Sequence, residues 1–409
     1  DIVLHMGDSK SWSEKETLQK WTPIGANPAN NTTYNFQGTF DGQGHSISGL
    51  YFSDTSKGYT GWRVGLFGSV KNATITNVRL INSMIQGGGY VGAFAGYAEN
   101  TYFTNLYTDT VVNAYYSDGH AGEAGGIVGL LQTGEINNCW NAGSITSGKY
   151  GRTGGIVGSV YNEVVVSSCL NTGAVLSTKD FGASTGEVCY YVGGFVGYLA
   201  NGCKLTLSDS LNMGSVTSDS NAKSVGAAIG TVRAGTSLYV EKESVHTILD
   251  GSVASTEYTI GSQFSGGVYN FAGQIQTNNN KTNIMPVEAN NINGVNGYSN
   301  TGLSFDRPET ADVVEGAWIT TNSHPILGTF IDLFKEDEYA WNTDIQGQFR
   351  ADTAWINVVT VETLEDESEI DTYTIDRPEE LYGFAKLVNE GNTFSGKKVT
   401  STKIIAKSP

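Results

Sequence analysis

A short glycine-bearing motif recurs six times along this chain, and that recurrence constrains its fold more than any other feature. The segments VGLFGSV (64–70), VGAFAGY (91–97), GGIVGLL (125–131), GGIVGSV (154–160), GGFVGYL (193–199) and VGAAIGT (225–231) share one pattern. From Gly65 through Gly92, Gly126, Gly155 and Gly194 to Gly226 the steps are 27, 34, 29, 39 and 32 residues. Each copy runs on into further short apolar-alternating stretches, clearest in INNCWNAGSIT (136–146), VSSCLNTGAVL (166–176) and LSDSLNMGSVT (207–217). Earlier copies, ITNVRLINSMI (75–85) and FTNLYTDTVVN (103–113), are looser. The alternation predicts about three strands per unit, each of four to six residues, with Gly or Asn at the corners. A unit of ~30 residues has no way to bury its apolar face alone and must stack on its neighbours. Stacked three-strand units form a parallel β-solenoid. A propeller needs ~40–50 residues and four strands per blade, and leucine-rich repeats carry Leu-x-Leu runs that this chain lacks.

Composition agrees with an elongated stack. Glycine accounts for 52 of 409 residues and charged residues for only 16%. With 39% hydrophobic and 11% aromatic residues the chain is too apolar for disorder. A net charge of −17 argues against nucleic acid as a partner, since phosphate binding needs clustered Lys and Arg. No run approaches 18 apolar residues, so membrane insertion is not expected. The opening DIVLHMGDSK lacks the layout of a signal peptide and reads as a mature or trimmed end. Few lysines, much Asn, Ser and Thr, and strong acidity lean toward an extracellular bacterial protein.

Recurring positions have structural explanations first. Gly-x-x-Gly is expected where the backbone passes close to other segments or takes φ > 0. A phosphate-binding loop is the rival reading, but no helix or Lys follows the motif. Asn141, Asn171 and Asn212 recur in Asn-x-Gly corners, where Asn tolerates left-handed φ and stacked amides hydrogen-bond as a ladder. Cys139 and Cys169 hold equivalent positions, with Ser210 next, and read as small buried residues or as a disulfide. With Cys189 and Cys203 they show no metal-ligand spacing.

Before the first motif stands WTPIGANPANNTTYNFQGTFDGQGHSISGLYF (21–52). That run, followed by the GLFG and GGIVG copies, resembles the GLUG-motif repeat family of bacterial surface proteins. Such repeats also occur in non-catalytic parts of immunoglobulin A metalloproteases. The resemblance covers roughly residues 1–335 and implies a right-handed parallel β-solenoid with a scaffold, spacer or adhesive role. AWITTNSHPILGTF (317–330) looks like a closing coil of such a domain. Between 232 and 316 the spacing blurs and an Asn-rich run appears at 277–284.

The last residues differ in character. Charge rises at DLFKEDEYAW (332–341) and ETLEDESEID (362–371), so 336–375 reads as an acidic linker or edge segment. DRPEELYGFAKLVNEGN (376–392) reads as a helix, with Asp376 as its cap, Pro378 in its first turn and Gly391 at its end. Leu381, Phe384, Ala385 and Val388 share one face. In the resembled family a helix followed by Phe-x-Gly-Lys, here FSGKK (394–398), stands before the first coil as its cap. Residues 376–409 therefore resemble the N-terminal cap of a following unit. Two placements compete. Either the helix folds back on its own last coil, or Leu381, Phe384, Ala385, Val388 and Phe394 cover the first coil of another chain. The second would make the chain a filament subunit whose partner is itself, or a neighbouring repeat of a longer protein.

Chemistry-bearing motifs are few. There is no HExxH, GxSxG or P-loop, and His45, within FDGQGH, reads as structural. A β-helical glycosidase or polysaccharide lyase needs two carboxylates ~5–9.5 Å apart. Glu135 and Glu163 fall at turns without a consistent acidic row. The insertions 53–62, 113–124, 147–153, 177–192 and 217–224 all precede the glycine motif, so they should emerge along one edge. They carry Tyr59, Trp62, Tyr115, Tyr116, Tyr150, Phe181, Tyr190 and Tyr191, rings suited to sugar faces or host-protein anchors, or to folding down as local mini-cores. Asp118, Glu123, Asp180 and Glu187 are oxygen ligands available to Ca²⁺, while no other cofactor is implied. The reading is a non-catalytic structural or adhesive surface protein. A glycan- or host-protein-binding module and a β-helical enzyme stand as alternatives.

Overall fold

The computed structural model describes residues 1–12, 18–25, 34–54, 62–115, 121–148, 150–178, 191–218, 224–240, 245–249, 260–263, 268–271, 274–276, 285–288, 318–319, 326–327, 329–330, 359–363, 369–375 and 378–401. It is mostly β, and strands of successive repeats pair in parallel with their equivalents. Three sheets result. The first, here the leading sheet, holds Arg63–Val64, Tyr90–Gly92, Glu123–Gly125, Arg152–Gly154, Tyr191–Gly193 and Ser224–Gly226. A long sheet follows the glycine motif. The trailing sheet holds Tyr51–Ser53, Met84–Gly87, Val111–Ala114, Ile145–Ser147, Val175–Ser177 and Val216–Ser218.

Register explains the core. Ile75, Phe103, Ile136, Val166, Leu207 and Val240 are consecutive partners across the long sheet, and each is fully buried. A parallel ladder spaces such partners ~4.8 Å apart, so each apolar side chain lies on the one before it. Burying a residue of this size contributes roughly 1.5–3 kcal/mol.

The glycine motif is a close-approach device, and none of its glycines takes a positive φ. A Cβ on Gly126 would lie 2.5 Å from Asn141 Cγ, and one on Gly129 2.5 Å from Val91 N. The leading strand therefore folds against the long-sheet strand with little more than backbone between them. The left-handed corners are elsewhere. Asn77, Asn105, Asn138, Ser168 and Asp209 all take φ between 42° and 58° at one position of successive repeats. That expectation for Asn141, Asn171 and Asn212 is corrected: they are absent from the positive-φ residues, although their ladder exists. Asn141 Nδ2 donates to Asn171 Oδ1 (2.8 Å), and Asn171 Nδ2 donates to Asn212 Oδ1 (2.7 Å).

The left-handed column makes a second ladder. Asn77 Nδ2 donates to Asp41 Oδ1 (3.0 Å), Asn105 Nδ2 to Asn77 Oδ1 (2.9 Å) and Asn138 Nδ2 to Asn105 Oδ1 (2.6 Å). A left-handed residue turns the strand while its amide side chain continues the hydrogen bonding. This is why Phe67–Ile81 runs for 15 residues where four to six were expected. Cys139 and Cys169 are buried free thiols, as is Cys203. Burial, and then the neighbouring Cys169 thiol, pushes the Cys139 thiol well up.

Parallel pairing continues past 232, through Ile260–Gln263, Val268–Phe271 and Met285–Glu288. The Asn-rich run at 277–284 lies outside the described residues. The expected closing coil at 317–330 takes another form. Trp318–Ile319 pairs antiparallel with Ile326–Leu327, off the parallel stack. Trp318 Nε1 donates to Asp209 Oδ1 (3.2 Å), Asn138 Nδ2 donates to Thr329 Oγ1 (2.6 Å), and the Phe330 ring lies 6.0 Å from that of Tyr107. The chain thus runs back along the left-handed corner toward the first repeat.

There it closes the structure. The helix Pro378–Asn389 ends in a turn where Asn392 N donates to Leu387 O and Gly391 N to Val388 O, with Gly391 at φ +107°. This is the Schellman arrangement, and it places the glycine where its sequence position predicts. Asp376 lies outside the described residues. The strand Lys398–Ser401 pairs in parallel with Thr39–Asp41 on one side and with Glu369–Ile375 on the other. Within this chain the helix therefore covers the first repeat rather than the last coil. Among the described residues, no helix is long and apolar enough to cross a membrane.

Candidate functional site

Two kinds of surface were expected to act: the insertion edge and the cap. The edge is set by register. Trailing strands end in register, and leading strands begin in register at Arg63, Tyr90, Glu123, Arg152, Tyr191 and Ser224. Whatever joins them leaves and re-enters the stack along one line.

On that line the structure gathers two aromatic–arginine groups. In the first, the Arg63 guanidinium lies 4.2 Å from the Tyr97 ring centre, Trp62 meets Tyr90 edge-on at 5.7 Å, and Tyr90 lies 6.3 Å from Tyr97. In the second, Arg152 lies 3.9 Å from the Tyr198 ring centre and donates to Tyr161 OH (2.7 Å), while Tyr191 sits 5.4 Å from Tyr198. Between them is Glu123, buried at 3% exposure and ion-paired to Arg152.

Electrostatics follow from burial. Desolvation raises the Glu123 carboxyl, with Arg152 opposing. For Arg152, burial works against the charge, but Glu123 and the tyrosine oxygens outweigh it and hold the guanidinium protonated. Burial, then Glu123, pushes the Tyr90 hydroxyl up to about 12, and the same two causes push Tyr161 up to about 12. Tyr97 also rises to about 12, through burial and Glu99. At neutral pH the edge therefore presents the neutral phenols of Tyr90, Tyr97 and Tyr161 and two arginine side chains around the buried Glu123 carboxyl group. Rings of intermediate exposure, with the Tyr97 and Tyr161 hydroxyls held by Glu99 and Arg152, offer surfaces on which a flat apolar group can stack.

Of the expected edge residues, Trp62 joins the first group and Tyr191 the second. Tyr115 directly follows the trailing strand Val111–Ala114, and Tyr150 stands two residues before the leading strand Arg152–Gly154 with φ +57°. Tyr59, Tyr116, Phe181 and Tyr190 lie outside the described residues. Arg63, Tyr90, Tyr97, Arg152, Tyr161 and Tyr198 were not anticipated. For Tyr97 and Tyr198 the signal was present, since both close the glycine motif, in VGAFAGY and GGFVGYL.

Of the oxygen ligands offered to Ca²⁺, Glu123 is withdrawn from solvent and paired with Arg152. Asp118, Asp180 and Glu187 lie outside the described residues. Among the described residues, no group of three His, Cys, Asp or Glu side chains has metal-binding proximity. Glu163 is ion-paired with Lys204 at 2.5 Å on the exposed surface, and Glu135 has Tyr102 and Val165 as its ladder partners.

The cap residues all come together. Leu381, Phe384, Ala385, Val388 and Phe394 are buried. The Phe384 ring lies 5.5 Å from Phe36, 6.0 Å from Phe40, 6.4 Å from Phe67 and 5.1 Å from Phe394.

No family model matches this chain, and no curated protein matches it. Among solved structures it is similar to a "putative immunoglobulin A1 protease" from Bacteroides ovatus, at 17% identity and a TM-score of 0.35. That similarity covers 65% of this chain and 77% of the other.

Proposed function

We propose that the chain is a right-handed parallel β-solenoid of the GLUG-repeat type, acting as a non-catalytic rod of a bacterial cell surface. One observation carries this reading: the Asn columns run unbroken from repeat to repeat, Asp41 through Asn138 on one line and Asn141 through Asn212 on another. Buried amide ladders hold each coil to the next at fixed spacing, which is what a stiff spacer needs. Duplicating one repeat, residues 152–190, should lengthen the rod by ~4.8 Å in small-angle scattering, leaving its cross-section unchanged. A duplication that thickens the particle instead would overturn the rod.

A second reading is adhesion through the aromatic edge, favoured by the Trp62–Tyr90–Tyr97 and Tyr191–Tyr198 groups lying along one line. Beads coated with the chain should retain glycans or host surface proteins, and W62A/Y97A/Y198A beads should not. Equal retention by both would remove the edge as the binding surface.

A further inference from the structure

The first repeat is covered by the far end of the same chain, and every covering contact is one that an identical first repeat would offer equally well. Phe384 packs on Phe36, Phe40 and Phe67, and Lys398–Ser401 adds a parallel strand to Thr39–Asp41. Lys398 Nζ also reaches Asp41 Oδ2 at 3.8 Å. Only chain connectivity makes the contact internal. The last described residue before the cap, Phe330, is anchored beside Tyr107 and Trp140, and residues 331–358 join it to the cap. Those 28 residues have a contour of up to ~3.3–3.6 Å each, roughly two and a half times the height of eight coils at ~4.8 Å. The same length reaches the first repeat of an adjacent copy.

We propose that the cap is exchangeable: residues 359–401 of one copy seat on Phe36, Phe40 and the Thr39–Asp41 edge of a second copy, joining rods head to tail. The proposal rests on the rod reading above. Where each cap seats on a new copy the contact repeats into a filament, and where two copies trade caps it closes as a pair. An uncovered first repeat would expose an apolar face and an unpaired strand edge, so the site is filled in either arrangement. The balance is one of effective concentration. A short tether holds the cap near its own first repeat, so isolated chains close on themselves and crowded chains exchange. Trp318 on Asp209, with Thr329 and Phe330 on Asn138 and Tyr107, anchors the chain ahead of residues 331–358.

The test uses the full chain with Cys189→Ser throughout. Thr39 and Lys398 are partners in parallel register, a spacing of ~4.8 Å that falls within disulfide reach. Double variant T39C/K398C, oxidised when dilute, should close internally. Single variants T39C and K398C, mixed, unfolded in reductant, refolded at high concentration and only then oxidised, should give a two-chain species whose disulfide maps to positions 39 and 398. W318A/F330A in both chains, which loosens the anchor on Asp209 and Tyr107, should raise its yield. Internal closure of the double variant with no two-chain species at any concentration would overturn exchange alone. If neither link forms, the cap does not sit on the first repeat, and scattering on the same samples shows whether the rod itself survives.

Discussion

The ring of Phe384 lies stacked over that of Phe40, with centroids 6.0 Å apart and planes 14° from parallel. The two residues stand at opposite ends of the chain, so this one contact shows that the C-terminal helix is the lid of the N-terminal repeat. Phe384→Ala should cost ~3–5 kcal/mol locally, the range for deleting a buried Phe. In a stack the loss stays near the end where it is made. Hydrogen exchange should show Thr39–Asp41 and Lys398–Ser401 losing protection together, with Val164–Val166 unaffected.

Asn171 is the middle of a three-amide column, and it also donates to Gly173 O at 3.1 Å. Asn171→Ala leaves Asn141 and Asn212 each short of one partner in a buried site, at ~1–3 kcal/mol per orphaned group. Exchange protection should fall on both sides of the substitution, in Ile145–Ser147 and Val216–Ser218. Loss confined to the mutated repeat would mean that the amides do not act as a column.

The Glu123–Arg152 pair should behave as a buried ion pair does. Removing one partner, as in Glu123→Gln, strands a guanidinium whose side chain is only 20% exposed, costing toward the lower end of ~3–5 kcal/mol. Replacing both, in E123L/R152M, should recover most of that loss. Measuring local stability of Glu123–Gly125 and Arg152–Gly154 for both variants gives the comparison.

Acidification should loosen the cap. A hydrogen bond from Lys398, and then its charge, hold the Glu362 carboxyl below the usual carboxylate range. A depressed folded value means the contribution is present above the unfolded pKa and is lost as pH falls through the lowered one. The pair is solvent-exposed, so the effect should be small and screened by salt. Amide protection factors at Lys398–Ser401, taken relative to the intrinsic exchange rate at each pH from 6 to 2, should fall more in the native chain than in E362Q.

The aromatic edge shows how legible a candidate site is in a repeat. Trp62 and Tyr191 could be named because insertions of one phase must leave a stack along one line. Arg63, Arg152 and Tyr161 had no local signal. Their importance comes from ladder neighbours in other repeats, and sequence alone does not say that Arg152 lies over Tyr198 while holding Glu123.

Periodicity by itself determined the stacking, the identity of the buried Asn column and the close approach at the glycines, because each is a consequence of one unit meeting its copy. The helix and its Gly391 ending were equally legible, since caps and amphipathic faces are local. Where that helix docks was decided only in three dimensions. Its apolar face fits any open end of the stack, and the long-range pairing of Lys398–Ser401 with Thr39–Asp41 selects the first repeat. The same holds for the left-handed corners. The sequence pointed to Asn141, Asn171 and Asn212 for these corners, and only the assembled ladders show that Asn77, Asn105 and Asn138 turn the chain while Asn141 and Asn171 stay extended inside it.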